Sequence, residues 1–171
     1  MKRYFFLFIF LNILTSFGCD KDYDKSVELI RYSQLTYDTS ITIYEALEKY
    51  QYFTDFTWES YFNPDNQKIV RFKGFLKHES IEEDIRLAQE LLTRKNAKDN
   101  TSELINALKN THVAFINIQF LVSPDESRIT IYDVKREAYD KLLRNVYIYQ
   151  DTDDINMIYK NKRISLPFDS K

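Results

Sequence analysis

The chain has 171 residues, 44% of them hydrophobic and 16% aromatic, enough to close one domain around its own core. Its formal charge is −2, with 24 basic residues interspersed among 26 acidic ones, so it has no basic stripe for neutralising phosphates, which argues against a nucleic-acid partner. Two glycines exclude a phosphate-cradling loop or dinucleotide fingerprint, and the single cysteine excludes an internal disulfide.

Met1-Lys2-Arg3 is a basic head, and Tyr4 to Leu14 is apolar apart from Asn12. Thr15-Ser16-Phe17-Gly18 is mostly small and leads into Cys19, after which charge begins at once with Asp20, Lys21 and Asp22. This order predicts a secretory signal peptide over residues 1–18. Its apolar core is well short of the ~20 residues that a helix needs to cross a bilayer. The segment resembles a bacterial lipoprotein signal, whose cleavage leaves an acylated cysteine at the new N-terminus. Gly18 fits that pattern, while Ser16 stands where Leu is usual and Phe17 where a small residue is common. The resemblance implies a lipid, such as palmitate, on Cys19 and a place in the cell envelope, on the periplasmic side or the cell surface. The membrane would then be a partner through that lipid. The competing reading is an incidental cysteine lost with the leader. Loss of Lys2 and Arg3 takes the net charge from −2 to −4.

Residues 19–26 read as the lipidated cysteine and a polar tether, and residues 27–162 as one domain. Val27 to Leu35 suits a helix or a strand equally. Thr42-Ile43-Tyr44-Glu45 is a capping box, with Ile41 placed to staple onto Ala46, and Ile43, Ala46, Leu47 and Tyr50 form one helical stripe. Phe56, Trp58, Ser60 and Phe62 alternate as a strand, and Asn63-Pro64-Asp65-Asn66 turns the chain. Val70, Phe72, Gly74 and Leu76 alternate as its hairpin partner, with Gly74 marking a bulge or a close backbone approach. Ser80-Ile81-Glu82-Glu83 reads as a second capping box ahead of Ile85, Ala88 and Leu92. Asn100 and Glu103 suit the cap of a shorter helix through Leu108. Ala114, Ile116, Ile118, Phe120 and Val122 form the apolar face of a third strand, and Arg128 to Arg136 forms a fourth. Glu137 to Tyr149 starts with helical character and ends with strand character, Asp154 to Lys160 suggests a last helix, and residues 163–171 read as a flexible tail. The expectation is an α+β fold, with an antiparallel sheet of about four strands packed on helices and a helical insertion between the second and third strands.

Four segments resemble a family of small exported bacterial lipoprotein-like domains of unknown function. The family pattern runs T-I-G-E-A-F, W-E-S-F, V-E-F-x-G and I-Q-F before a turn containing Asp. Here it stands as Thr42-Ile43-Tyr44-Glu45-Ala46-Leu47, Trp58-Glu59-Ser60-Tyr61, Val70-Arg71-Phe72-Lys73-Gly74, and Ile118-Gln119-Phe120 before Pro124-Asp125. Tyr44 replaces the usual Gly, and the stretch from Ser80 to Asn110 reads as an insertion. The resemblance implies export and an α+β fold, and it carries no catalytic residues.

No catalytic, cofactor-binding or metal-ligating set is expected. His78 and His112 flank the insertion without the further ligands that zinc requires. The acidic runs at Glu82-Glu83-Asp84 and Asp151-Asp153-Asp154 stand where helices are predicted to start, and capping explains them. Tyr61, Phe75 and Phe115 fall on the strand faces opposite the main apolar stripe. They form either an interaction patch or, if the inserted helices roof that face, a second core layer. The functional expectation is a lipid-anchored envelope protein with a binding or structural role, an envelope protein being one partner for such a patch. The rival readings are a hydrolase of envelope polymers and a secreted inhibitor or adhesin.

Overall fold

A computed structural model describes residues 24–35, 38–93 and 101–164; the leader, Cys19 and residues 165–171 lie outside the described residues. Chain order is α1 (Lys25–Arg31), α2 (Ile43–Glu48), β1 (Phe53–Phe62), β2 (Lys68–Leu76), α3 (His78–Thr93), α4 (Thr101–Lys109), β3 (Val113–Val122), β4 (Ile129–Tyr139), β5 (Asn145–Gln150) and α5 (Asp153–Tyr159). The strands form one antiparallel sheet in the order β1-β2-β3-β4-β5. The α+β class is as expected, but the sheet has five strands rather than about four.

The fifth strand comes from the ambiguous stretch of residues 137–149. Glu137 to Tyr139 completes β4, and Asp140 then closes a turn by accepting the amides of Leu142 (2.8 Å) and Arg144 (2.9 Å) on one carboxylate oxygen. A side chain that satisfies two amides in this way competes with a helix and favours a hairpin.

Strand alternation divides the residues between two sheet faces. Trp58, Phe72, Ile118 and Val134 lie in register across β1 to β4 on one face, and all are buried. Val27 and Ile30 of α1, Ile43 and Leu47 of α2, and Ile155 and Ile158 of α5 cover that face. Gly74 lies on it too, and the ring of Phe53 packs so close that a Cβ at Gly74 would come within 2.5 Å. The close approach explains the glycine.

The inserted helices do not roof the other face. Ile81 of α3 and Leu108 of α4 pack with Ala114 and Ala138, whose parity places them on the same covered face, and Leu76 joins them. Small alanines at this end of β3 and β4 leave room for the helices where larger residues fill the centre. The inserted helices therefore do not roof Tyr61, Phe75 and Phe115, since all helices among the described residues pack on one side, yet Phe115 is itself buried at 7% exposed.

Three local expectations need adjustment. Residues 25–31 resolve the open choice in favour of a helix, with the Asp24 side chain accepting from the Ser26 amide. Helix α3 starts at His78, ahead of the Ser80 box, because the Lys77 amide donates to Tyr52 O (3.0 Å) and ends the sheet there. Arg163 and Ile164, read as the start of a loose tail, are anchored. Arg163 Nη1 pairs with Asp84 Oδ1 (2.5 Å), and the Ile164 amide donates to the Tyr50 hydroxyl (3.1 Å).

The Thr42 capping box is present in both directions. The Glu45 amide donates to Thr42 Oγ1 (3.2 Å), and the Thr42 amide donates to Glu45 Oε2 (2.9 Å). Thr42→Ala is expected to cost about 0.5–2 kcal/mol, read as a lower urea midpoint at unchanged slope.

Candidate functional site

The face without described helices carries polar and aromatic residues around two buried apolar ones, Ile69 and Phe115. Its rows follow from the strand register. Glu59, Arg71, Gln119 and Asp133 form one row, Thr57, Lys73, Asn117 and Lys135 the next, and Asp55, Phe75, Phe115 and Glu137 the third.

The first two rows form a polar ladder. Arg71 pairs with Glu59 and lies over the Tyr61 ring, 5.4 Å from its centroid. Lys135 Nζ pairs with Asp133 Oδ2 (2.6 Å), and that hydrogen-bonded ion pair holds the lysine above its ordinary pKa. Asn117 is only 6% exposed, and its Nδ2 donates to Glu137 Oε1 (3.4 Å).

The third row is aromatic. Phe75 meets Phe115 edge-on (5.8 Å between centroids), and Phe115 stacks on Tyr139 (5.6 Å, 13° between planes). Lys73 Nζ sits 4.5 Å from the Phe115 centroid, and the Tyr139 hydroxyl donates to Glu137 Oε2 (2.9 Å). This yields a short stacked strip with an ammonium over its middle and a carboxylate at its rim. Such a surface can hold a flat or apolar group while orienting it with charge.

The three aromatics singled out in the sequence do share this face but do not form one patch. Phe75 and Phe115 touch, with Phe75 half-buried and Phe115 buried. Tyr61 stands opposite Ile69, six residues along β2 from Phe75, so about 20 Å separates them at ~3.3 Å per residue. Arg71 and Lys73 fill the interval. The Tyr61 hydroxyl instead donates to Gln119 Oε1 (3.1 Å). Sequence reading missed Tyr139, the actual third member of the strip, because it lay in the stretch whose secondary structure was open. The polar partners Lys73, Asn117 and Glu137 follow from the alternation that placed Phe75 and Phe115.

His78 and His112 both line one open cleft of about 330 Å³ at the sheet end, together with Thr54, Asp55 and Leu76. His78 Nε2 lies 3.7 Å from Glu82 Oε1. Among the described residues, no group of three or more His, Cys, Asp or Glu side chains is placed to hold a metal ion.

Asp153 and Asp154 stand in the first turn of α5, as the sequence suggested, whereas Glu82-Glu83-Asp84 lies beyond the first turn of α3. Asp84 reaches Arg163 across the fold, and Asp154 is buried against Arg136, Nε to Oδ2 2.8 Å. Burial pushes the Asp154 carboxyl up to about 6 against the opposing pull of Arg136. Asp151 alone keeps a capping contact, accepting from the Asp153 amide (2.8 Å). Both long-range pairs tie the C-terminal part of the chain to the rest, and Asp84 and Arg136 line one small pocket together with Glu137.

The N-terminal end of the domain is firmly placed. The Ser60 hydroxyl, the Ser26 amide and Lys68 all donate to Asp24, and they hold its carboxyl well below the usual carboxylate range. Asp24 thus sits beside the end of β1 and the start of β2. A cleft of about 650 Å³ opens at the same end, between Ser26, Phe62, Lys68, Leu121 and Pro124.

Among the described residues, no helix is long and apolar enough to cross a membrane. No protein-family model matches the chain, and comparison with curated proteins and with solved structures finds no match to it.

Proposed function

We propose that this is a lipid-anchored cell-envelope protein whose single domain acts by binding or as a structural component rather than by catalysis. The observation that carries the anchor is the lone Cys19 directly behind the apolar leader, in a chain whose core contains no cysteine. A sulfur without a structural partner is available for acylation. The position of Asp24 agrees with this reading. Asp24 lies five residues on from Cys19, at most about 18 Å along the chain, so the sheet end with the β1–β2 and β3–β4 turns stays within that reach of the anchoring membrane. The binding role rests on the half-buried rings of Phe75 and Tyr139 beside Lys73 and Glu137, which offer contact area and orientation over the buried Phe115.

The experiment is mass spectrometry of the mature N-terminus together with membrane fractionation. Each buried acyl CH₂ contributes about 0.8 kcal/mol, so two or more chains on Cys19 hold the protein in the membrane fraction. Cys19→Ser is expected to release it or leave it unprocessed. A wild-type chain that is soluble and unmodified at its N-terminus sinks the anchor.

A further inference from the structure

The turn between β4 and β5 presents an apolar tip that the core does not need. Leu142 and Leu143 are 72% and 73% exposed, the highest among the large exposed hydrophobics of the described residues. Leu143 also adopts φ 57°, in the left-handed region that favours Gly or Asn and disfavours a branched side chain. Of the four described residues with positive φ, Asn66 and Asn161 are of a type that favours it and Glu126 is polar, so Leu143 is the one apolar side chain held in this conformation.

The tip is held rigidly. Asp140 is buried, and its carboxylate accepts from the Leu142 amide, the Arg144 amide and Arg144 Nε at 2.8 to 2.9 Å. Those bonds, the Arg144 amide foremost, hold its carboxyl below the usual range. The Leu143 amide donates to Asp140 O and the Asp140 amide to Arg144 O, both at 3.0 Å. The two leucines are therefore presented in a fixed conformation, with Lys141 and Arg144, both exposed, on either side.

We infer that the Lys141-Leu142-Leu143-Arg144 tip is a lipid-surface contact, in which both leucines enter the interfacial layer of a bilayer and Lys141 lies among anionic headgroups. The shape favours lipid over a protein partner. The tip is a narrow convex projection, and a bilayer accepts such a shape without a matching pocket. Lys141 agrees, because a long Lys side chain keeps its cation at the headgroup level while an apolar neighbour inserts; the Arg144 guanidinium is held by Asp140, Nη2 to Oδ2 2.7 Å. The inference goes beyond the Cys19 anchor: the tip is at the end of the sheet away from Asp24, about 30 Å along β3. It is a second lipid contact made by the folded domain.

The test reads the tip locally, so it does not depend on how the chain is otherwise held. The full chain carrying Leu142→Trp, and separately the full chain carrying Tyr132→Trp on the exposed part of β4, are reconstituted with vesicles of phosphatidylglycerol and phosphatidylcholine, with or without bromine in the acyl chains. The expected result is a blue shift and loss of emission from the indole at position 142, beyond the Tyr132→Trp signal. Adding Lys141→Glu is expected to reduce that loss on anionic vesicles and leave it unchanged on neutral ones. Equal quenching at the two positions overturns the inference without touching the Cys19 anchor. Emission that responds to added envelope proteins but not to vesicles overturns it too, and assigns the tip to a protein. Quenching at position 142 in a chain whose N-terminus proves unmodified supports the tip and removes the anchor.

Discussion

Phe72→Ala is expected to destabilise the domain by about 3–5 kcal/mol, the range for truncating a fully buried aromatic. Phe72 is 0% exposed at the centre of β2, in register with Trp58 and Ile118. Trp58 meets it edge-on at 4.9 Å, Phe53 tilts against it at 5.6 Å, and Phe56 stacks at 6.0 Å. Three rings and the helices above would have to collapse around one void. Trp58 cannot shift freely, because its Nε1 donates to Glu48 Oε1 (2.8 Å), which also accepts from Arg31 Nε (2.6 Å). Because domains of this size are stable by only about 5–15 kcal/mol, such a loss consumes much of the margin. Urea unfolding followed by Trp58 emission measures it. A midpoint close to wild type would mean that the aromatic cluster is not the centre of the core.

Arg136→Met is the second large effect, expected at about 3–5 kcal/mol near neutral pH because it leaves a buried carboxylate without its cation. Arg136 and Asp154 are 4% and 3% exposed, and Tyr149 lies 4.9 Å from the guanidinium. The pair joins β4 to α5, the last helix over the core. The pH dependence follows from the Asp154 carboxyl at about 6, against 3.8 for an ordinary Asp. Between these values the folded chain keeps a proton that the unfolded chain has released. The stability contributed by this group is therefore greatest below about pH 4 and falls as pH rises to 6, by up to about 3 kcal/mol. In Arg136→Met the carboxyl loses its opposing cation and titrates higher still. The defect is expected to be largest at pH 8 and to shrink toward pH 5, where protonation removes the buried charge. Adding Asp154→Leu to Arg136→Met is expected to restore most of the loss, since an apolar pair can replace a buried ion pair of similar volume. A defect of the same size at pH 5 and pH 8 would show that the arginine contributes packing alone.

Local chemistry made much of this fold legible. The Thr42 box has a short-range cause, a hydroxyl and a carboxylate three residues apart, and it is present with both hydrogen bonds. The alternation from Ala114 to Val122 is set by the two-residue period of a strand, and its apolar members are buried. The same period placed Tyr61, Phe75 and Phe115 on the opposite face. The stretch from Glu137 to Tyr149 was not legible, because a residue pattern with both periods is settled by what lies beside it. Here β3 offers an open edge to Glu137 and Tyr139, and Asp140 captures two amides to turn the chain.

The sequence by itself determined the α+β class, the hairpin of β1 and β2 and the faces of the strands, all consequences of spacing along the chain. Only the tertiary structure decided which side the inserted helices cover. Ser80 to Asn110 has an amphipathic pattern that suits either face, and the small side chains of Ala114 and Ala138 drew α3 and α4 onto the face already carrying α1, α2 and α5. The tertiary structure likewise turned Asp84 and Asp154 from expected helix caps into partners of Arg163 and Arg136, which are distant in sequence. A buried carboxylate is committed by the cation that packing brings to it, and the sequence around the acid does not name that cation.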